Sequence, residues 1–277
     1  MKPTILAPID FSKVSLNAAR YAAKLAVDLD ANLTLFNTVQ IPIMYGEVPM
    51  PNGNYEHVVE EAHQEMRTLV QKLNREFEDS IYIQYEIKAG SPVYEIAEWA
   101  GREQPLLIVL GSRGLGSIER FLLGSVTLSL IKESPVPILV IPDNYTYSPI
   151  CKIGLATDLQ HVVHQTPDHL IKNLVALLKA EIHFIHNDPN YHEYEPLYME
   201  EGMLLDQMFE KEKHSFHFTH NQMTEEGIIN FARDNKLDWL MVLPKRHGFF
   251  DELFGHQHTR DFVLHAEMPV LVLPATE

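Results

Sequence analysis

The sequence predicts an α/β protein made of two tandem copies of one unit, each a five-stranded parallel sheet sandwiched between helices. Three observations lead to this prediction. Short apolar segments alternate with helical patterns along the 277 residues, and this order of segments occurs twice. The apolar segments also have the length and composition of strands that are buried on both faces, which is typical of parallel sheets.

The opening of the first copy recurs in the second. Residues 5–10 (ILAPID) form an apolar run that ends in an acid, and residues 153–158 (IGLATD) repeat it. Each run precedes an amphipathic helical pattern, a second strand and a long helix. These matching elements are the helices 15–28 and 165–178, the strands 33–39 and 182–187, and the helices 56–77 and 198–212.

The remainder of each copy matches at a constant offset of 132 residues. The matching segments are the strands 81–87 and 213–219, the helices 93–100 and 225–232, and the strands 106–110 with 238–242 and 137–141 with 269–273. Each copy therefore reads β-α-β-α-β-α-β-α-β. The polar segment 144–149 (NYTYSP) is the natural linker, which predicts domains at 1–146 and 147–277.

Charge and cysteine content narrow the possible functions. The formal net charge of −16 argues against non-specific binding of DNA or RNA and against docking on an anionic membrane surface, because both depend on Lys and Arg. A small anion remains compatible with this charge, because backbone N–H groups can hold it. The single cysteine, Cys151, excludes an internal disulfide, and the N-terminus shows no leader pattern, so we expect a cytoplasmic protein.

Ligands of open parallel sheets bind at the carboxyl ends of the strands. Asp10, Thr38 and Gly111 fall at such ends. From Gly111 onward the chain reads GSRGLGS, and a second glycine cluster, Gly124-Ser125-Val126, begins a helical pattern. We expect the glycines at 111, 114 and 124 to adopt positive φ and to let a ligand approach the backbone.

A helix start of this kind favours an anion, because its N–H groups and the helix dipole are positive there. Arg113 or Arg120 would add a cation. A tight strand-to-helix connection explains the glycines equally well, so both interpretations stay open at this point. The loop is neither a Walker A sequence nor the dinucleotide fingerprint, which follows a first strand.

The spacing Gly111-x2-Gly114-x9-Gly124-Ser125 resembles the G-2x-G-9x-G-(S/T) pattern of the universal stress protein family. Residues 8–12 (PIDFS) resemble the first strand and turn of that family, and residues 137–141 resemble its last strand. Over both halves the chain is similar to a tandem universal stress protein. The resemblance implies a Rossmann-like, adenine nucleotide alpha-hydrolase-like fold that binds ATP, with or without Mg²⁺.

The resemblance also implies where the nucleotide lies. Pro8, Ile9 and Asp10 would lie along the adenine and ribose, and Thr38 would contact adenine through its backbone. The positions that would hold ribose and phosphates are Gly111, Arg113, Gly114, Gly124, Ser125 and Val126. For Asp10 a purely structural role, supporting the turn into the first helix, is the alternative.

Single-domain members of the family pair through their last strands. The resemblance therefore implies that strands 137–141 and 269–273 pair within this chain as an intramolecular pseudo-dimer. Such pairing would cover edges that are otherwise a liability. Whether the chain pairs again into a homodimer stays open.

The second copy lacks the glycine loop. The residues opposite Gly111, Gly114, Gly124 and Ser125 are Leu243, Arg246, His256 and Gln257. We therefore expect one competent site, in the first half. Two interpretations of the second half are open. It has lost ATP or changed its ligand, or it is kept for packing against the first half, and we favour the packing role.

Thirteen of the fifteen histidines lie after residue 150. They show no recognised metal-ligand spacing, and His214, His217 and His220 would not share one face of a strand. We therefore predict no metal site. The leading hypothesis is an ATP-binding, nucleotide-responsive stress-response module. Because no catalytic base can be named, we assign no catalytic residue, and a scaffold without nucleotide or a slow ATP hydrolase are the alternatives.

Overall fold

The computed structural model describes residues 2–39, 53–112, 123–143, 145–191, 195–244 and 256–274. The strands of the first half are β1 (Thr4–Pro8), β2 (Asn32–Val39), β3 (Ile83–Ala89), β4 (Leu107–Gly111) and β5 (Ile138–Ile141). Those of the second half are β6 (Lys152–Ala156), β7 (Glu181–Asn187), β8 (His214–Thr219), β9 (Trp239–Val242) and β10 (Val270–Val272).

The helices alternate with these strands. In the first half they are α1 (Lys13–Asp28), α2 (Gly53–Glu76), α3 (Pro92–Glu103) and α4 (Ser125–Glu133). In the second half they are α5 (Val162–Gln165), α6 (Asp168–Leu178), α7 (Pro196–Met208), α8 (Thr224–Asp234) and α9 (His256–His265). None of the described helices combines the length and the apolar composition that a bilayer crossing requires.

The strands form one ten-stranded sheet in the order β3-β2-β1-β4-β5-β10-β9-β6-β7-β8. Within each half all pairs are parallel, and the order of the second half mirrors that of the first. The halves meet where β5 and β10 pair antiparallel, with Val270 opposite Val140. The predicted fold class and the predicted pairing of the last strands are therefore confirmed.

The registers of the central strands relate the two halves residue by residue. Ile5 pairs with Leu107 in the first half, and Ile153 pairs with Trp239 in the second. Because Ile5 and Ile153 occupy the same position of the repeated segment, Leu107 is equivalent to Trp239. The predicted offset of 132 residues therefore holds across β4 and β9.

The outer strands depart from this offset by one residue. Leu33 pairs with Ile83, and its equivalent Ile182 pairs with His214, which gives an offset of 131. The constant offset predicted from the sequence is wrong here, because the connection from β8 to α8 is longer than that from β3 to α3. A shift of one residue moves every side chain of a strand to the other face of the sheet. The side chains of β8 therefore point to the faces opposite to those that the offset of 132 predicts.

The first helix of each half is built differently. Ser12 precedes α1 with extended φ/ψ, and its hydroxyl accepts a hydrogen bond from the Ser15 amide, which caps the helix. In the second half Thr166 is extended and stands before Pro167, which disfavours helix at the preceding residue. The single helix predicted over 165–178 is therefore the short α5 followed by α6.

Buried side chains pack in two clusters, one on each face of the sheet. Each cluster extends over both halves of the molecule. The helices α1, α2, α6 and α7 pack on one face of the sheet, and α3, α4, α8 and α9 pack on the other. Trp239 is fully buried, and its indole N–H donates to the Tyr21 hydroxyl of α1 at 2.6 Å. Burial raises the pKa of Tyr21 well above its usual value, so the phenol stays protonated.

Candidate functional site

Several of the predicted site residues lie together at one edge of the sheet. Pro8 ends β1, Thr38 lies near the end of β2 and Gly111 ends β4, and these strands are neighbours in the order β2-β1-β4. Ile9 follows β1 and is buried, with its amide donating to the Phe36 carbonyl at 2.7 Å. The structure therefore brings the first-strand, second-strand and fourth-strand positions to the same carboxyl edge.

Asp10 forms the turn that leads into α1. Its carboxylate accepts a hydrogen bond from the Ser12 amide at 3.0 Å, while Phe11 between them has a left-handed φ of 60°. This is the Asx turn that Asp and Asn side chains commonly make. The structural role weighed for Asp10 is thus present in the molecule, whatever else the carboxylate does.

Gly111 allows α1 to approach β4 closely. A Cβ added at Gly111 would lie 2.4 Å from Val14 Cγ1 and 3.1 Å from the Val14 carbonyl carbon and oxygen. The prediction of a positive φ is wrong at both described glycines of the loop. Gly111 is the last residue of strand β4, and Gly124 has a φ of −60° and a ψ of 140°. The requirement for glycine at 111 is therefore steric packing against a neighbouring helix.

The N-terminus of α4 lies against the end of β4. The Gly124 amide donates to the Ser112 carbonyl at 3.1 Å, and the Thr127 hydroxyl donates to the Gly111 carbonyl at 3.2 Å. Gly124 has no side chain to cap the helix, and Ser125 at the first helical position is exposed. Within the described part of the chain no side chain caps the first-turn N–H groups, including that of Val126, and this arrangement suits an anion.

Arg113 and Gly114, two residues predicted to contact the nucleotide, lie outside the described residues. Arg120 and Arg246 lie outside them as well. Their parts in the site therefore stay predictions.

The second half repeats the turn but fills the space beside it. The Asp158 carboxylate accepts a hydrogen bond from the Gln160 amide at 3.1 Å, and Leu159 has a left-handed φ of 51°, as in the first half. Leu243 stands at the position equivalent to Gly111. The cavity between Leu243, Asp158 and Val162 measures about 20 Å³, which is room for about one water molecule.

Polar side chains close the end of β7, where Asn187 stands at the position of Thr38. The Asn187 amide oxygen accepts from the Thr219 hydroxyl at 2.8 Å and from the Asn221 amide at 3.0 Å. Its NH₂ donates to the Asn221 carbonyl at 2.9 Å. A Cβ on Gly227 of α8 would lie 2.4 Å from the same amide oxygen. Helix α8 therefore packs directly on this network. In the sequence, the only sign of the network is that polar residues stand at the ends of two strands.

Two histidines of the outer strands form a compact polar cluster. His183 Nδ1 lies 3.0 Å from His217 Nε2, and the Ser215 hydroxyl lies within 3.2 Å of both nitrogens. Burial lowers the pKa of both imidazoles. His214 packs against Phe184 on the opposite face of the sheet. The prediction that the histidines of β8 do not all share one face is therefore confirmed for His214 and His217. Within the described residues no group of three or more His, Cys, Asp or Glu side chains is arranged to hold a metal.

Comparison with known proteins follows the same division into halves. A sequence model described as the universal stress protein family matches residues 1–142. Over 138 residues the chain is 34% identical to the universal stress protein MJ0531 of Methanocaldococcus jannaschii, covering 50% of this chain and 80% of the relative. It is 27% identical over 143 residues to the universal stress protein YxiE of Bacillus subtilis, covering 50% of this chain and 97% of that relative.

One solved structure matches along nearly the whole chain. A universal stress protein from Archaeoglobus fulgidus superimposes with a TM-score of 0.71 and covers 98% of this chain and 97% of its own. The sequence identity is 17%, so this likeness speaks for the fold alone. Both halves of the ten-stranded arrangement therefore occur in another protein.

Proposed function

Because this chain belongs to the universal stress protein family, we propose that its first half binds ATP at the carboxyl edge of β2, β1 and β4. The observation that carries the proposal is the N-terminus of α4, which lies beside the ends of these strands and which no side chain of the described residues caps. Amide N–H groups and the helix dipole would hold the phosphates there without help from the overall charge, which is strongly negative.

The other residues of the edge fit the remaining parts of an adenine nucleotide. Pro8 and Ile9 offer buried apolar surface beside the base, and the Asp10 carboxylate is an acceptor for ribose hydroxyls. The Thr38 backbone would contact adenine, and Arg113 with Gly114 would complete the ribose and phosphate contacts. Mg²⁺, where present, would enter with the phosphates.

We further propose that ATP binds in the first half only, and that the halves divide as domains 1–146 and 147–277. The equivalent space in the second half is filled by Leu243 on one side and by the Asn187 network on the other. The proposed role is ligand binding. A ligand that joins α4 to the ends of β1 and β2 stabilises the first half, so occupancy alone changes the properties of the protein.

Calorimetric titration of the 277-residue chain with ATP and Mg²⁺ tests this proposal. Asp10→Ala and Asp158→Ala form a matched pair, because both carboxylates make the same turn contact in equivalent positions. We expect Asp10→Ala to weaken ATP binding about tenfold or more, equivalent to about 1.4 kcal/mol, and Asp158→Ala to leave it unchanged. Absence of binding to the wild-type chain at millimolar ATP would refute the proposal and favour a scaffold that binds no nucleotide.

Gly124→Val provides a second test that does not depend on the turn. The φ of −60° at Gly124 suits any L-residue, so the substitution introduces no left-handed strain. Its side chain would occupy the space beside the first-turn amides, and we expect binding to be lost while the circular dichroism spectrum stays unchanged. Full retention of ATP affinity in this variant would show that the α4 N-terminus does not hold the phosphates.

A further inference from the structure

We propose that the groove between α1 and α2 binds helix α7 of a second copy of this chain. This contact is separate from the β5–β10 joint, and it does not depend on the nucleotide proposal. Two surfaces of the molecule carry it, an apolar groove with a basic rim and an exposed acidic helix with an apolar stripe.

The groove lies between the N-terminal half of α1 and the C-terminal half of α2. It has a volume of about 750 Å³, and its floor is apolar, with Leu16 contributed by α1 and Leu69 and Leu73 by α2. Leu16 is 36% exposed, although the two α2 leucines are buried. The Arg20–Glu76 ion pair, at 2.6 Å, bridges the two helices across it. The accessible apolar surface of the groove therefore comes from Leu16 and from the half-buried Phe11, which also lines it.

The rim of the groove is positive although the chain as a whole is strongly negative. Lys13 and Lys72 line the groove in addition to Arg20, whose charge is paired with Glu76. Among the described residues neither lysine forms an ion pair, and Glu65 is the remaining acid of the lining. A local excess of cations on a chain of net charge −16 favours an acidic partner.

Helix α7 carries the complementary surface. Met199 and Met203, one helical turn apart, are 53% and 71% exposed, and Leu197 is 57% exposed. Glu200 is exposed on the same side of the helix, and Asp206, also exposed there, is paired with His214 of the same chain at 3.0 Å. Methionine adapts its shape to grooves, and exposed methionines that cluster on one helix are characteristic of binding surfaces.

The position of the two surfaces allows a closed dimer. Both lie on the same face of the sheet, with the groove near the β3 end and α7 near the β8 end. Two copies that face each other about a two-fold axis place the groove of each copy against α7 of the other, so that both contacts form at once. At physiological salt charges farther apart than about 8 Å are screened, so the local charges outweigh the repulsion between the two acidic chains.

Sedimentation equilibrium of the 277-residue chain, at the physiological ionic strength of about 0.15 M, tests the proposal. We expect a monomer–dimer equilibrium in the wild type, and at least a tenfold increase of its dissociation constant in Met203→Lys. That substitution removes apolar contact and adds a cation opposite a cationic rim. Met223→Lys is the matched control, because Met223 is also exposed (56%) but precedes α8 on the other face. Lys72→Glu should weaken the dimer as well, through loss of the complementary charge.

A photo-reactive amino acid at position 203 identifies the contact directly. In a mixture of isotopically heavy and light chains, we expect cross-links between copies that end on residues of α1 or α2. A chain that stays monomeric at all concentrations, cross-links that end elsewhere, or equal weakening by Met203→Lys and Met223→Lys would each overturn the proposal.

Discussion

Replacing Gly111 with alanine tests whether this glycine serves packing. The added Cβ would lie 2.4 Å from Val14 Cγ1, a distance that real Cβ contacts do not tolerate, and 3.1 Å from two Val14 backbone atoms. The Val14 side chain can rotate away, but its backbone is held in the first turn of α1. Overpacking of this kind costs about 1–3 kcal/mol, so we expect Gly111→Ala to lose stability in that range.

A double-mutant cycle isolates the steric cause. Val14→Ala removes the Cγ1 atom at 2.4 Å but leaves the backbone contacts at 3.1 Å, so relief should be incomplete. We expect the cost of Gly111→Ala to fall by about 1 kcal/mol when Val14 is already alanine, within the range of coupling between residues in contact. Urea unfolding and hydrogen exchange of the β4 amides at Val109 and Leu110 measure the global and local effects.

The outcomes separate packing from ligand contact at Gly111. A Gly111→Ala variant within 0.5 kcal/mol of the wild type would refute the steric argument, and so would a cost that is the same with and without Val14. If stability and ATP affinity recover together in the double variant, the glycine acts through α1. If stability recovers but affinity does not, Gly111 also faces the ligand.

Two further predictions concern the free energy of unfolding. Tyr21→Phe should lower the free energy of unfolding by about 1–3 kcal/mol in urea titrations, because the fully buried Trp239 indole N–H loses its acceptor; a change below 0.5 kcal/mol would contradict this. Stability should also decline as pH falls below about 6.5, because burial lowers the folded-state pKa of His183 and His217 and the unfolded chain takes up protons first. Urea titrations from pH 7.5 to 5 should show a shallower decline in the His183→Gln/His217→Gln double variant, and an unchanged slope would exclude the pair as its source.

The fold could be predicted because its signals are local and occur twice. Apolar strands, the acid that ends the first strand of each half and the cap at Ser12 all depend on neighbours in the sequence. The pairing of β5 with β10 followed from the resemblance, in which last strands associate. The register of β8 did not follow, because a longer connection changes the offset without altering the hydrophobic pattern.

The site was harder to predict, because its packing contacts join distant parts of the chain. Gly111 meets Val14 across almost a hundred residues, so a glycine needed for packing resembled a glycine needed for a ligand. The Asn187 network likewise depends on Thr219 and Asn221, which the fold alone brings to it. By contrast, the sequence correctly predicted that Pro8 and Thr38 lie at one edge of the sheet, because the carboxyl ends of neighbouring parallel strands lie at the same edge.

The antiparallel joint between β5 and β10 lies inside one polypeptide, and this changes which constraints act on each half. Two separate identical chains would associate according to their concentration, and every substitution would appear on both sides of the joint. A short covalent connection makes the association unimolecular, so it persists at any dilution. Within one chain a substitution on one side of the joint no longer appears on the other. The two halves can therefore differ at equivalent positions, as Gly111 and Leu243 do.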